Sequence, residues 1–407
     1  MALAQPRVLF VTQHYRPELI GSAPFCADMA EWLAEHGHTV TVLSGRPHYP
    51  NQNLFPDYRN GKPHRETIDG VMVERLRTWA PRSRSAVARI IGEALFLLRG
   101  VAALATGRVP KHRLVLSLCP SVLSVALGNL ARHRAGRHVG IVHDIQSGLA
   151  QGLGMVGDGR LVRLMRWCER TVLNRLDLIV VLSPAMRDQL IRIGVATPIE
   201  VVPIWVDTDR IRPRDGARNG GLRLLYSGNL GRKQGLGQIV ALAEQLQKRR
   251  PDIEILVRGG GSHAVTLAAE ILARGLANIR LADLLPRERL CDGLCEGDIH
   301  LVPQDPEAAD FAVPSKVFSI MAAGRPFVAT AKPGSTLWLL QEESGGFLCV
   351  PPNDPQAFAK AVLRLADDPA VRRSLGERGR RYVEQHCAKP YVLDRFMTLV
   401  DGLDVVR

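Results

Sequence analysis

Residues 7–43 read RVLFVTQHYRPELIGSAPFCADMAEWLAEHGHTVTVL, and this stretch decides the fold. Arg7-Val-Leu-Phe-Val-Thr12 is a short apolar run of strand length, followed by a loop to Ser22. Phe25, Met29, Trp32 and Leu33 then recur at helical spacing. Ser22 is placed to cap that helix, and Pro24 suits its first turn. Gly37 stops it, and Thr39-Val-Thr-Val-Leu43 is the next strand. A strand, a helix and a second strand in so few residues predict a parallel pair with a crossover.

The alternation continues outward. Val71–Arg75, Leu114–Leu118, Val139–Val142, Leu178–Leu182 and Ile199–Val202 are further strand candidates. A second series follows at Leu222–Tyr226, Ile253–Val257, Ile279–Leu281, Ile299–Val302, Phe327–Thr330 and Phe347–Val350. Between the two series, residues 207–221 are polar and glycine-rich, which predicts a hinge. The expected fold class is α/β, with two Rossmann-like domains in tandem. The ligand is expected in a cleft outside the carboxyl ends of the strands.

Composition bounds the function. The chain has 407 residues, 46% of them hydrophobic and 23% charged, an ordinary globular balance. No run is long and apolar enough to span a bilayer, and the first residues do not read as a secretory signal. Seven scattered cysteines without a CxxC pair argue against a disulfide framework or zinc site and for the cytoplasm. The net charge is +13, of which residues 1–215 supply +10. That asymmetry points to an anionic partner. Only 5% of residues are aromatic, too few for a base-stacking surface, so nucleic acid is not the expected one. Residues 82–113 carry seven basic side chains and one acid around an apolar helix. This suits either a helix lying on an anionic membrane surface or a core helix with solvated ends.

Four loops hold the candidate chemistry. Gly21-Ser22 precedes a helix, where bare amides favour an anion. Tyr226-Ser-Gly-Asn-Leu-Gly-Arg-Lys-Gln-Gly-Leu236 places Arg232 and Lys233 after a strand, where a diphosphate would be neutralised. Arg258-Gly-Gly-Gly-Ser262 follows the next strand without matching GxGxxG, and there is no Walker loop, which disfavours a nicotinamide enzyme. Asp310-Phe-Ala-Val-Pro-Ser-Lys-Val-Phe-Ser319 sets Ser315 and Lys316 at the start of a short helix ended by Gly324. Asp207-Thr-Asp209 and His36-Gly-His38 look like metal motifs but sit in the hinge and at a helix end, so no metal site is expected.

The order of these loops resembles glycosyltransferase family 4, retaining enzymes of the GT-B fold. The Pro-Ser-Lys form, with Ser-Gly-Asn-Leu-Gly-Arg-Lys-Gln-Gly-Leu, resembles the branch that builds colanic-acid-like exopolysaccharides and O-antigens. The resemblance implies two Rossmann-like domains facing across a cleft. Residues 1–206 would form the acceptor-binding domain and residues 207–387 the nucleotide-sugar domain. Residues 388–407 would form a helix crossing back to the first.

By the same resemblance, His143, with Asp144 beside it, is the active-site histidine near the transferred sugar. Gly21 and Ser22 approach the donor phosphates, and Lys233 with Arg232 binds the diphosphate. Gly228, Asn229, Pro314, Ser315 and Lys316 complete the donor site. Asn229 replaces the family's usual arginine after the glycine. The family's two glutamates fall on Phe311 and Ser319, so Asp310 stands in for the first and Ser319 offers a weaker hydrogen bond for the second.

Fixed cations and amides would stabilise the leaving diphosphate without a metal or other cofactor. No carboxylate pair is placed for double displacement, which favours front-face attack with the leaving phosphate taking the acceptor's proton. The implied partners are a nucleotide-diphosphate-sugar donor, a lipid-linked saccharide acceptor and an anionic membrane surface. The implied location is cytoplasmic, peripheral on the inner face of the plasma membrane. Two other readings stay open: a non-catalytic membrane-surface protein of this fold, favoured by the missing glutamates, and a nucleotide-sugar epimerase.

Overall fold

Val8, Leu9, Phe10 and Val11 are fully buried, because the strand they form lies inside a sheet covered on both faces. That is why it reads as one apolar run and does not alternate. The computed structural model describes residues 7–18, 22–48, 53, 55–58, 64–77, 79, 86–119, 121–145, 160–214, 221–231, 234–305, 315–352 and 354–405. Contacts gather the chain into two compact units, Met1–Val202 with Leu393–Arg407, and Pro203–Val392.

The first unit begins with β1 (Arg7–Val11), α1 (Ala23–Glu35), β2 (Thr39–Gly45), β3 (Arg65–Ile68) and β4 (Val71–Leu76). It continues with α2 (Ala86–Ala105), β5 (His112–Cys119), α3 (Val122–Ala131), β6 (Arg132–Val142) and α4 (Arg160–Leu173). β7 (Leu178–Val181), α5 (Pro184–Arg192) and β8 (Ile199–Val201) complete it. The strands form one sheet in the order β3-β4-β2-β1-β5-β6-β7-β8. All neighbours are parallel except β3 with β4. β3 was not anticipated: it is a four-residue edge strand, RETI, with no fully buried residue to signal it.

Helix α2 packs one face into the core and leaves apolar residues exposed on the other. Phe96, Leu97, Ala103 and Leu104 join the core with Leu9, Val11, Leu43 and Val115. On the other side Ile90, Ile91 and Leu98 are 57%, 43% and 64% exposed. Helix α4 likewise exposes Leu164 and Trp167 among Arg163, Arg166 and Arg170. Among the described residues no helix is long and apolar enough to cross a membrane.

The second unit comprises β9 (Arg223–Ser227), α6 (Gly237–Arg249), β10 (Glu254–Arg258), α7 (Ala264–Ala273), β11 (Ile279–Ala282) and α8 (Leu290–Cys295). Then come β12 (Ile299–Val302), α9 (Lys316–Ala322), β13 (Phe327–Thr330), α10 (Thr336–Ser344) and β14 (Leu348–Val350). α11 (Pro355–Asp367), α12 (Pro369–His386) and α13 (Lys389–Val405) end the chain. Its strands are all parallel, in the order β11-β10-β9-β12-β13-β14.

The polar stretch expected as a hinge behaves differently over its first half. Arg380 on α12 donates to the carbonyls of Ile211 at 2.6 Å and Thr208 at 2.9 Å, tying that segment to the second unit. Residues 215–220 lie outside the described residues. The C-terminal helix does return to the first unit: Trp32 Nε1 donates to Asp394 at 3.2 Å, and His38 Nε2 lies 3.7 Å from Asp401.

Candidate active site

In the second unit the site is built by two neighbouring strands and a short helix. β9 and β10 run in register, so the loops that follow them leave the sheet together. Gly228 N donates to Arg258 O and Leu230 N to Gly260 O, both at 2.9 Å, lacing the loops by their backbones. Only glycine permits this. Gly228 has φ 144°, and a Cβ on Gly259 would stand 1.9 Å from the Gly228 carbonyl oxygen. Tyr226 at the end of β9 donates its hydroxyl to Asn229 O at 2.6 Å, which fixes the turn and holds the ring still.

Lys316, the first residue of α9, extends over that ring. Its Nζ sits 3.8 Å from the Tyr226 ring centroid and 3.0 Å from where a Gly228 side chain would begin. The Nζ is buried and has no hydrogen-bond partner among the described residues. Burial draws its pKa down to about 7. A cation over an aromatic face is attracted to it, yet that attraction is well short of what a desolvated ammonium gives up. The group is therefore ready for an anion. Arg258 adds a second cation at the end of β10. Its Nη2 pairs with Glu296 at 2.7 Å, while Nε and Nη1 are buried without hydrogen-bond partners among the described residues.

The other expected donor residues separate into two groups. Ser315 is exposed before α9 with no side-chain cap hydrogen bond, and half-buried Ser319 lies one turn further along the helix. Gly21, Arg232, Lys233, Asp310, Phe311 and Pro314 lie outside the described residues. Thus Gly228, Asn229 and Lys316 are brought together, with Ser315 adjacent in the chain.

In the first unit His143 follows β6, its amide donating to Cys119 O at 3.0 Å. The Phe25 ring meets the imidazole edge-on, centroids 5.6 Å apart. Among the described residues the buried Nε2 has no hydrogen-bond partner, and burial lowers the pKa to about 4, so the ring is neutral at physiological pH. Asp144 is half-buried beside it. Ser22 does not cap α1 with its side chain, contrary to expectation. Its backbone is helical (φ −84°, ψ −13°), whereas a capping residue is normally extended, and Pro24 has no amide to offer.

Sequence reading missed a second cluster in this unit. Glu18 accepts from His14 Nδ1 at 2.8 Å and from the His48 amide at 2.8 Å. The imidazoles of His14 and His48 stack with centroids 5.3 Å apart. Burial alone would raise the Glu18 pKa, but the hydrogen bond and charge of His14, with those of His48, outweigh it and keep the carboxylate ionised. One ligand atom from each of the three residues lies within 4.8 Å of the others, so this cluster has the donor set of a small metal site. His14 and His48 follow different strands, and no local motif announces their meeting. Of the apparent metal motifs, Asp207 instead accepts from the Arg210 amide at 2.8 Å, and Asp209 pairs with Arg212 at 3.4 Å. His36 bonds the Trp32 carbonyl at 2.8 Å.

Comparison with known proteins identifies the two units. Residues 21–205 match the glycosyl transferase 4-like domain, and residues 221–368 match the glycosyl transferases group 1 domain. Among similar proteins is WcaI of Escherichia coli K12, a glycosyl transferase assigned to colanic acid biosynthesis, 28% identical over 97% of this chain and 100% of WcaI. The glycosyltransferase WbjE of Pseudomonas aeruginosa is 26% identical over 73% of this chain and 76% of its own. Among solved structures, sucrose-phosphate synthase of Thermosynechococcus elongatus superposes with TM-score 0.78 and 20% identity, covering 99% of this chain and 100% of its own. HepE of Anabaena, crystallised with UDP and glucose, gives 0.71 at 13% identity, covering 98% of this chain and 100% of its own. At such identities the two structures establish the fold, which is GT-B. With a 4-like domain followed by a group 1 domain along most of its length, the chain belongs to glycosyltransferase family 4.

Proposed function

We propose that the protein transfers a sugar from a nucleotide diphosphate sugar to a polyprenyl-diphosphate-linked saccharide, in exopolysaccharide or O-antigen assembly. Transfer retains the anomeric configuration and needs no metal. The observation that carries this reading is the Lys316 ammonium, buried over Tyr226 without a hydrogen-bond partner and abutting Gly228. A group so desolvated is stabilised by an anionic ligand, and the laced glycine turn lets a ligand approach the backbone.

In this reading Lys316, Lys233, Arg232, Ser315 and the amides near Gly21, Ser22, Gly228 and Asn229 share the charge of the leaving diphosphate. Asp310, Pro314 and Ser319 line the rest of the donor site. His143, kept neutral by burial, donates or accepts a hydrogen bond at the sugar, with Asp144 beside it. Residues 1–206 bind the acceptor, 207–387 the donor, and 388–407 pack back on the first of these. The likeness to WcaI, a relative assigned to colanic acid biosynthesis, supports an exopolysaccharide product, and the complex of HepE with UDP supports a nucleotide donor. The exposed apolar and basic faces of α2 and α4 suit peripheral attachment to an anionic membrane, on its cytoplasmic side.

The test is calorimetric titration of a panel of nucleotide diphosphate sugars into wild type and Lys316→Ala, alongside transfer to a lipid-linked acceptor. We expect the variant to bind the donor about tenfold to a hundredfold more weakly and to lose transfer, with its unfolding transition intact. The pH dependence has a definite sign. Lys316 is half deprotonated near pH 7 in the free protein and must be charged to hold the diphosphate, so wild-type affinity falls as pH rises above 7. His300, which also faces Lys316, is held neutral by burial at a pKa of about 4 and does not titrate in this window. The variant's affinity stays flat. Undiminished donor binding by Lys316→Ala would overturn the reading.

A further inference from the structure

β2 and β4 are parallel neighbours that end together, with Gly45 opposite Leu76. The residues that leave the sheet there are both arginines, Arg46 and Arg77, and the Arg46 amide donates to Leu76 O at 3.1 Å. Helix α2 brings Arg99, whose Nη1 donates to the Arg77 carbonyl. The turn after α2 brings Arg108, whose Nη2 donates to Arg75 O at 3.0 Å and His64 O at 3.2 Å. Arg46 Nη2 in turn lies 3.2 Å from His64 Nδ1. Four guanidiniums from four segments thus gather on one corner of the first unit.

The corner is rich in arginine: Glu74 pairs with Arg65 and Arg108 and Glu66 with Arg75, and Arg46, Arg77 and Arg99 add to them. Arg77, Arg99 and Arg108 all lie close enough to Arg46 for their charges to act on it. Like charges held this close repel, and an anion accepting several guanidinium hydrogen bonds relieves them. The same corner is also apolar. Trp79, two residues beyond Arg77, is 40% exposed, and Leu98, next to Arg99, is 64% exposed. Ile91, two turns before Leu98 on the same face of α2, is 43% exposed. A surface of this kind fits an amphiphile with a doubly charged head and a hydrocarbon tail.

We propose that Arg46, Arg77, Arg99 and Arg108 bind the diphosphate of a polyprenyl-diphosphate-linked acceptor, and that Trp79, Ile91 and Leu98 receive the start of its hydrocarbon chain. The proposal rests on the lipid-linked acceptor of the reading above and assigns where its phosphates bind. The donor site on the second unit plays no part in it.

The experiment titrates farnesyl diphosphate, farnesol and inorganic pyrophosphate into the full chain, and into the Arg77→Gln/Arg99→Gln double variant and Leu98→Ser. Wild type should bind farnesyl diphosphate at least about tenfold more tightly than farnesol or pyrophosphate. The double variant should lose about tenfold or more for farnesyl diphosphate while its thermal shift with nucleotide diphosphate sugars is unchanged. Leu98→Ser should weaken farnesyl diphosphate but not pyrophosphate. Equal binding of farnesyl diphosphate by wild type and double variant overturns the proposal. So does a double variant that loses only flotation with phosphatidylglycerol vesicles, because the corner would then serve bilayer headgroups. If wild type instead fails to respond to any nucleotide diphosphate sugar, the donor reading falls while these titrations still decide the acceptor corner.

Discussion

The loop after β1 and the loop after β9 hold equivalent places in their units, each following an innermost strand, yet they are secured by different means. After β1, side chains do it. Arg75, fully buried, donates Nε to Glu66 at 2.7 Å and reaches the carbonyl oxygens of Arg16 and Gly45, with Tyr15 and Tyr58 against its guanidinium. Glu18 then ties His14 to the His48 segment. After β9, backbone laces the loops, with Gly228 and Leu230 donating into the β10 loop, and the Tyr226 hydroxyl fixes the turn. A side-chain lattice concentrates its stability in a few charged groups whose loss leaves partners buried. A backbone lattice depends on space, and fails when a methyl group is added.

Arg75→Leu should have the largest effect. Among the described residues Glu66 keeps only the Tyr58 hydroxyl, and the Arg16 and Gly45 carbonyls lose a donor. Removing one member of a buried ion pair costs roughly 3–5 kcal/mol. Urea unfolding should show a loss of that order. The double variant Arg75→Leu/Glu66→Leu should recover part of it, because no carboxylate is then stranded. A single-variant cost under about 1 kcal/mol would mean that Arg75 is a passenger in the loop, against the pairing seen here.

The matching change in the second unit is Gly259→Ala. Its new Cβ would meet the Gly228 carbonyl oxygen at 1.9 Å, a backbone atom with little room to give. Overpacking of this kind costs about 1–3 kcal/mol. Gly260→Ala is the control, since a Cβ there meets nothing within 4 Å, and its stability should stay within about 0.5 kcal/mol of wild type. Gly228, which that Cβ would push aside, abuts Lys316 Nζ, so Gly259→Ala should also weaken donor binding where Gly260→Ala does not. Equal effects of the two substitutions would show that the lacing of the loops is not what orders them.

The same difference explains what was legible in the sequence. Strands buried on both faces announce themselves as apolar runs, and the alternation with helices followed from them; β1, β2 and β9 appear where the pattern put them. The glycines at 228 and 259–261 were visible because glycine marks a backbone that must bend or approach closely. The Lys316 position was visible because a lysine at a helix start after proline is a local pattern. The platform beneath it was not: Tyr226 precedes Lys316 by most of a domain, and only the sheet brings them together. The His14–Glu18–His48 cluster and the Arg75 lattice are hidden for the same reason, being made by loops from neighbouring strands. β3 was missed because a half-exposed edge strand carries no apolar run.

The smallest effect expected bears on Ser22, where a local pattern misled. Serine before a helix normally accepts a hydrogen bond from an amide of the first turn, and its replacement by alanine costs about 1 kcal/mol. Ser183 before α5 does this, accepting from the Met186 amide at 3.3 Å with an extended backbone. Ser22 does not, because its backbone is already helical. Ser183→Ala should therefore lower stability by about 1 kcal/mol, while Ser22→Ala leaves it nearly unchanged. A hydroxyl that does nothing for the helix is left for a ligand, so any effect of Ser22→Ala should appear in donor affinity and not in the unfolding curve. A stability loss equal to that of Ser183→Ala would return Ser22 to an ordinary capping role and remove it from the donor site.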